Sequence, residues 1–129
     1  RGARRLGRHG AGRRFVEVSL ARVPPLCHDS RVELRAQIPR GVLALTDARL
    51  RDSVRRLDRA VAAACRACID MLEAVGELGT GRDPGAEAQR LHALLDGAAL
   101  HAVWGGDADA EAARVLIAAH LDDIARSAR

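Results

Sequence analysis

The sequence predicts an all-α fold. Ala, Leu, Arg, Asp and Glu dominate it, whereas residues that favour β-strands are few: aromatic residues make up 2% of the chain and Tyr is absent. Apolar residues recur at steps of three and four along several long segments, and clusters of Gly and Pro separate those segments. With 129 residues the chain has the usual size of one domain. We therefore expect about five helices packed into one unit.

Residues 1–14 are expected to form an Arg/Gly-rich disordered leader, and residues 15–129 a helical domain. The leader contains six Arg and no acidic residue, so the rest of the chain, with 15 Arg and 17 acids, is nearly neutral. Arginine attracts phosphate without a fold, so contact of the leader with nucleic acid or anionic lipid is one interpretation. A solvated leader without a fold is the favoured one.

The first half of the domain contains two breaks. A short helix is predicted over 15–23, because Pro24 and Pro25 stop it. A second helical segment is predicted over 31–45, with a kink or an interruption at Pro39 and Gly41.

The longest helix is predicted to open at Asp47 and to run to about Val75. Its apolar positions alternate three- and four-residue steps and form one stripe: Leu50, Val54, Leu57, Val61, Ala64, Cys68, Leu72 and Val75. A Gly-rich loop follows, in which Asp83 is expected to cap a helix that starts at Pro84 and ends near Trp104. A last helix is expected over 110–125, with Asp109 at its start.

The last two predicted helices are apolar over more than half of their circumference, which is more than one neighbour within the chain can cover. We expect them to form a four-helix bundle with a second copy across a two-fold axis. The alternative is burial of both helices inside a monomer. Gly97 costs about 1 kcal/mol in mid-helix, and close approach of a partner helix is the expected compensation. The expected interface residues are Leu91, Leu94, Gly97, Ala98, His101, Trp104, Leu116, Ile117, His120 and Ile124, and Leu94→Glu is expected to give monomers.

Several motifs together resemble a known family. Residues 83–126, with LLDGAAL and AHLDDIAR, are similar to the last two helices of TetR-family transcriptional regulators, and PLCHDSRVELR, LTDARLRDSVRRL and AVGEL resemble its betaine-repressor-like branch. The resemblance implies the C-terminal ligand-binding and dimerisation domain of a bacterial repressor. Residues 1–30 lack that family's helix-turn-helix pattern, so specific DNA binding is expected only through a missing N-terminal domain.

The implied function is that of a homodimer that senses a small apolar ligand. We expect the ligand between the kinked segment and the long helix, in a cavity lined by Val42, Leu57, Val61, Cys65 and Leu95. Ligand binding would then shift the equilibrium between two conformations of the dimer.

Two other function classes remain open. A GntR-type effector domain would hold a metal ion through His92, His120 and an Asp, although polar-edge or interface histidines are favoured. A stand-alone helical interaction module without a ligand is the second. Cys65 and Cys68 have C-x-x-C spacing but lie inside a helix, so burial is favoured over metal or redox chemistry.

Neither an enzyme nor a membrane protein is expected. The sequence shows no nucleophile–base set and no phosphate-binding loop, so we expect no catalysis, no cofactor and no bound metal. It also has no secretory signal and no apolar run of 18 residues, so we expect a cytoplasmic protein with reduced thiols.

Overall fold

The computed structural model describes residues 10–20, 38–105 and 107–128, and those residues form helices and no strand. The helices are α1 (Ala11–Leu20), α2 (Ala48–Ala74), α3 (Pro84–Gly105) and α4 (Asp107–Ile124). Residues 38–43 are helical as well. The earlier part of the predicted 31–45 segment lies outside the described residues, and so do Cys27 and His28, which precede it. The all-α prediction, with about five helical stretches, is confirmed.

The helices surround one core in which α3 is central. It packs against α2 on one side and against α4 on the other, and α1 packs against α2. The core draws on all four helices: Val16 and Leu20; Cys65, Ile69 and Leu72; Ala88, Leu91, Leu95 and Ala98; Ala113, Ile117, Leu121 and Ile124. Among the described residues, no helix is both long and apolar enough to cross a membrane.

The helix ends follow the capping signals in the sequence. The Asp47 side chain accepts a hydrogen bond from the Arg49 N–H at 2.9 Å, and the Asp83 side chain accepts one from the Gly85 N–H at 2.9 Å. Helix α2 ends in a Schellman motif, in which Glu77 N–H donates to the Leu72 carbonyl and Gly76 N–H to the Glu73 carbonyl. Gly76 has φ +73°, a conformation that side chains with a Cβ rarely adopt.

Helix α1 begins at Ala11, four residues before its predicted start, and therefore includes the end of the expected leader. The reason is a distant cap: the Glu77 carboxylate accepts hydrogen bonds from the N–H groups of Gly10 (2.7 Å) and Arg13 (2.7 Å). The Arg13 side chain also forms ion pairs with Glu17 and with Asp122 of α4. These contacts fix the first turn of α1 onto the rest of the domain.

Helix α4 also begins earlier than predicted, at Asp107. The expected cap, Asp109, lies inside the first turn. Only Gly106 separates α3 from α4, so the two helices form a tight antiparallel hairpin.

Candidate functional site

Helix α3 carries two apolar stripes that face different directions. The inner stripe is buried in the core of the chain: Ala88, Leu91, Leu95, Ala98 and Ala102. The second stripe, Leu94, Gly97, His101 and Trp104, is spaced by three, four and three residues and lies on an adjacent face that is half-buried or exposed. The wide apolar arc predicted from the sequence is therefore the sum of an inward and an outward stripe.

The outward stripe of α3 and the neighbouring face of α4 form a shallow apolar groove of about 240 Å³. Its lining is Ala93, Leu94, Gly97, Ala98 and His101 from α3, and Asp109, Ala112, Ala113 and Leu116 from α4. We call this surface the α3–α4 groove. Small side chains form most of its floor, which allows another helix to approach closely.

Gly97 lies open in this groove. A Cβ built at this position would meet no atom within 4 Å. Nothing in the described part of the chain therefore compensates for the cost of glycine in mid-helix, about 1 kcal/mol relative to alanine.

Large apolar side chains at the groove are exposed. Trp104 is 73% exposed, Val115 62% and Leu116 54%. The ring of His101 lies beside that of Trp104, with their centroids 6.3 Å apart. Exposed apolar side chains near one groove are typical of an interaction surface.

The predicted interface residues differ in exposure, and the interface itself stays a prediction. Leu91, Ile117 and Ile124 are between 0% and 3% exposed and pack in the chain's own core. Ala98, 7% exposed, packs there too and also lines the α3–α4 groove. The pattern of apolar residues could not separate them from the outward stripe, because both stripes repeat at helical spacing. Of the other predicted interface residues, Gly97, His101, Trp104 and Leu116 are exposed, and Leu94 and His120 are half-buried.

The residues of the predicted ligand pocket lie in different environments. Val42 is 62% and Leu57 47% exposed, whereas Cys65 and Leu95 are buried in the core and Val61 packs against it. None of the five lines the α3–α4 groove or the two other cavities found on α2, α3 and α4. The segment expected to form the second wall lies mostly outside the described residues, so this pocket stays a prediction.

A polar cavity of about 590 Å³ lies where the α2–α3 loop meets the end of α4. Its lining includes Arg82, Glu87, Arg90, Asp123 and Arg126. The Arg82 guanidinium, 14% exposed, donates to the Asp123 carbonyl at 2.9 Å, to the Arg126 carbonyl at 3.1 Å and to Glu87 Oε1 at 3.2 Å. Arg82 therefore ties the end of α4 to the start of α3.

Two buried polar atoms lie behind this cavity. Glu87 is 2% exposed, and its Oε1 accepts from Arg82 and Arg90. Glu87 Oε2 and His120 Nε2 are both buried and have no hydrogen-bond partner among the residues that the structure describes. Burial lowers the pKa of the His120 imidazole and thereby favours its neutral form. The negative charges of Glu87 and Asp123 oppose this effect.

Cys65 and Cys68 have the environment of apolar residues. Cys65 is 1% exposed, and burial raises the pKa of its thiol to about 11, with smaller contributions from Cys68 and Asp96. Burial also raises the pKa of the Cys68 thiol. Because the reactive form is the thiolate, both positions are poorly suited to redox or metal chemistry.

His92 lies between two carboxylates. Its Nε2 is 3.4 Å from Oδ1 of Asp58 on α2 and 3.5 Å from Oδ2 of Asp96, one turn further along α3. Burial and the charge of Asp58 raise the pKa of Asp96, against the effect of His92. In the described part of the chain, Asp58, His92 and Asp96 are the group of three side chains placed to hold a metal ion. His120, the second histidine expected in such a site, is not part of this group.

Comparison with known proteins gives one result that covers nearly the whole chain. A model for the C-terminal domain of BetI-type transcriptional repressors matches residues 12–126. No curated protein and no solved structure matches the chain.

Proposed function

The chain belongs to the family of BetI-type transcriptional repressor C-terminal domains, and from that premise we propose that it is a dimerising, ligand-sensing regulatory domain of the TetR family. The family supports a repressor-type regulatory role. Dimerisation and ligand sensing are the finer parts of the proposal, and each has its own support and its own test.

The observation that carries dimerisation is the open position of Gly97 in an exposed apolar groove. A helix glycine with open space over it in the described part of its own chain is explained when the backbone of another helix packs against it. The same groove presents exposed Leu116, and exposed Trp104 lies beside its lining residue His101; both side chains are costly to leave in water.

A second copy of the chain is the occupant that we propose. The groove lies on a helical hairpin, and two such hairpins related by a two-fold axis form a four-helix bundle in which each copy covers the other's groove. The interface is then self-complementary, because the same residues are offered from both sides. Bundle formation also matches the resemblance of residues 83–126 to the terminal helices of TetR-type regulators.

Leu116→Glu tests this assignment. Leu116 is 54% exposed and lines the groove, so a carboxylate there disturbs the monomer little but is buried twice in the dimer. Loss of two leucine contacts at about 1.5 kcal/mol each weakens the dimer at least about 100-fold. Leu94→Glu, the variant that the sequence analysis expects to give monomers, is a poorer test because Leu94 is half-buried and packs against the core.

The readout is the mass from sedimentation equilibrium. The unmodified chain is expected at twice its 13.8 kDa and Leu116→Glu at 13.8 kDa. Val18→Glu is the matched control, because Val18 is an exposed apolar residue on α1, away from the groove, and should leave the dimer intact. A dimer that is equally stable in Leu116→Glu would contradict the proposed interface.

Ligand sensing is supported by the family and by the resemblance, which implies a small apolar effector near Val42, Leu57, Val61, Cys65 and Leu95. A thermal-shift screen with apolar small molecules tests it. We expect at least one compound to stabilise the domain, and Val61→Trp, which fills the expected cavity, to remove that effect. If no compound in the screen stabilises the chain, the stand-alone interaction module becomes the better description.

A further inference from the structure

We propose that Asp58, His92 and Asp96 form a binding site for a divalent transition-metal ion of the zinc type. The site joins α2 to α3, since Asp58 lies on the first helix and His92 and Asp96 lie on the second. One imidazole and two carboxylates are a donor set that suits zinc and its first-row neighbours. This inference does not rest on dimerisation or on ligand sensing.

The distances between the donor atoms fit an ion better than direct hydrogen bonds. His92 Nε2 lies 3.4 Å from Asp58 Oδ1 and 3.5 Å from Asp96 Oδ2, which is beyond the usual range of about 2.7–3.2 Å for an N–H···O bond. A tetrahedral zinc ion with bonds of about 2.0–2.1 Å separates its ligands by about 3.3–3.4 Å. All three donor atoms lie within 4.8 Å of one another, so small side-chain movements close them around one ion.

The charges at the site also favour a cation. The carboxylates of Asp58 and Asp96 converge on the imidazole of His92. Among the described residues, His92 is the ion-pair partner of both carboxylates. Several other acids in this arginine-rich chain pair with a guanidinium, as Asp70 does with Arg66 and Glu87 with Arg90. A metal ion would supply the positive charge that arginine supplies elsewhere.

The exposure of the three residues suits an open metal site. Both carboxylates are more than 60% exposed, whereas His92 is 18% exposed and is held between the two helices. An ion can therefore enter from solvent, and water is left to complete the tetrahedron as the fourth ligand. Bound metal would fix α2 against α3 at a position far along both helices from the α2–α3 loop.

Metal titration of the full chain tests the site. The protein is stripped with a chelator and titrated with Co²⁺, whose visible d–d absorption is intense in tetrahedral sites, and Zn²⁺ is then added as the competitor. We expect one equivalent of Co²⁺ that Zn²⁺ displaces, without a sulfur-to-cobalt charge-transfer band. At a zinc concentration 100 times the Kd, the melting temperature is expected to rise by roughly 10 °C.

Isosteric variants identify the ligands. Asp58→Asn and Asp96→Asn change exposed side chains, so they should fold as the unmodified chain does, with unchanged circular dichroism. Each is expected to lower metal affinity at least tenfold, and His92→Ala to lower it further. Asp52→Asn removes the charge of an exposed acid on the same helix as Asp58, outside the cluster and the α3–α4 groove, and should bind metal normally.

Three results would overturn the proposal: the absence of any Co²⁺ band or thermal shift, a thiolate charge-transfer band, or metal affinity that is unchanged in Asp96→Asn and His92→Ala. The first would mean that the cluster is an ion-pair network only. The other two would place the metal elsewhere, for example on the cysteines.

Discussion

Replacing Gly97 with alanine is expected to have opposite effects on the helix and on the dimer. The new Cβ meets no atom within 4 Å among the described residues of one chain, so the gain in helix propensity is unopposed and amounts to about 1 kcal/mol per chain. In the dimer, two added methyl groups enter a closely packed interface. Each is expected to destabilise the dimer by about 1 kcal/mol, the low end of the usual cost of overpacking. The total of about 2 kcal/mol weakens the dimer about 30-fold.

The two effects can be measured separately. In the Leu116→Glu background, where the chain is expected to be monomeric, Gly97→Ala should raise the free energy of unfolding in urea by about 1 kcal/mol. In the otherwise unmodified chain, sedimentation equilibrium should show the higher dimer Kd.

Gly41→Ala is the matched control. Gly41 also lies in a helical stretch, and no atom of the described residues lies within 4 Å of a Cβ built there, but Gly41 is outside the α3–α4 groove. It should stabilise the chain in a similar way and leave the dimer Kd unchanged. A dimer Kd for Gly97→Ala within twofold of the unmodified value would refute close helix approach at Gly97.

Two further predictions concern the end of α4. Arg82→Ala should lower the free energy of unfolding by about 3 kcal/mol in urea denaturation, because it removes a largely buried partner of Glu87 and two carbonyl contacts. Arg66→Ala is the control, because it breaks an exposed ion pair with Asp70 one turn away and should lower the free energy of unfolding by under about 0.5 kcal/mol. Equal losses in both variants would contradict the role of Arg82 in joining the end of α4 to the start of α3. Burial lowers the pKa of His120 below its unfolded value of about 6.5. Between these two pKa values the unfolded chain binds more protons than the folded chain. The His120 contribution to stability is therefore complete above about pH 6.5 and is lost as pH falls through this window. His120→Gln should remove that part of the pH dependence in urea titrations, and identical pH profiles for both proteins would exclude it.

The sequence predicted best what depends on local signals. The long helix α2 agrees with its predicted bounds within about two residues, because a single apolar stripe, the Asp47 cap and Gly76 lie next to it in the chain. Pro84 and Asp83 placed the start of α3 for the same reason.

Long-range contacts account for what was missed. The start of α1 depends on Glu77, which is more than 60 residues away, and no periodicity reports such a cap. His92 and Asp96 have the one-turn spacing of a metal-ligand pair, but Asp58 reaches them from another helix. Likewise, Leu91 and Leu94 look alike in sequence, and only the packing of α3 between α2 and α4 shows which of them faces out.

The most direct test of the central claim, that the α3–α4 groove is the dimer interface, is the fluorescence of Trp104 as a function of protein concentration. It is the only tryptophan, Tyr is absent, and the side chain is 73% exposed in one chain. A second copy in the groove would shield the indole, so emission should lie at shorter wavelength in the concentrated protein and shift to longer wavelength on dilution and in Leu116→Glu. Emission of a fully exposed tryptophan at every concentration, in a protein that sediments as a dimer, would contradict the claim.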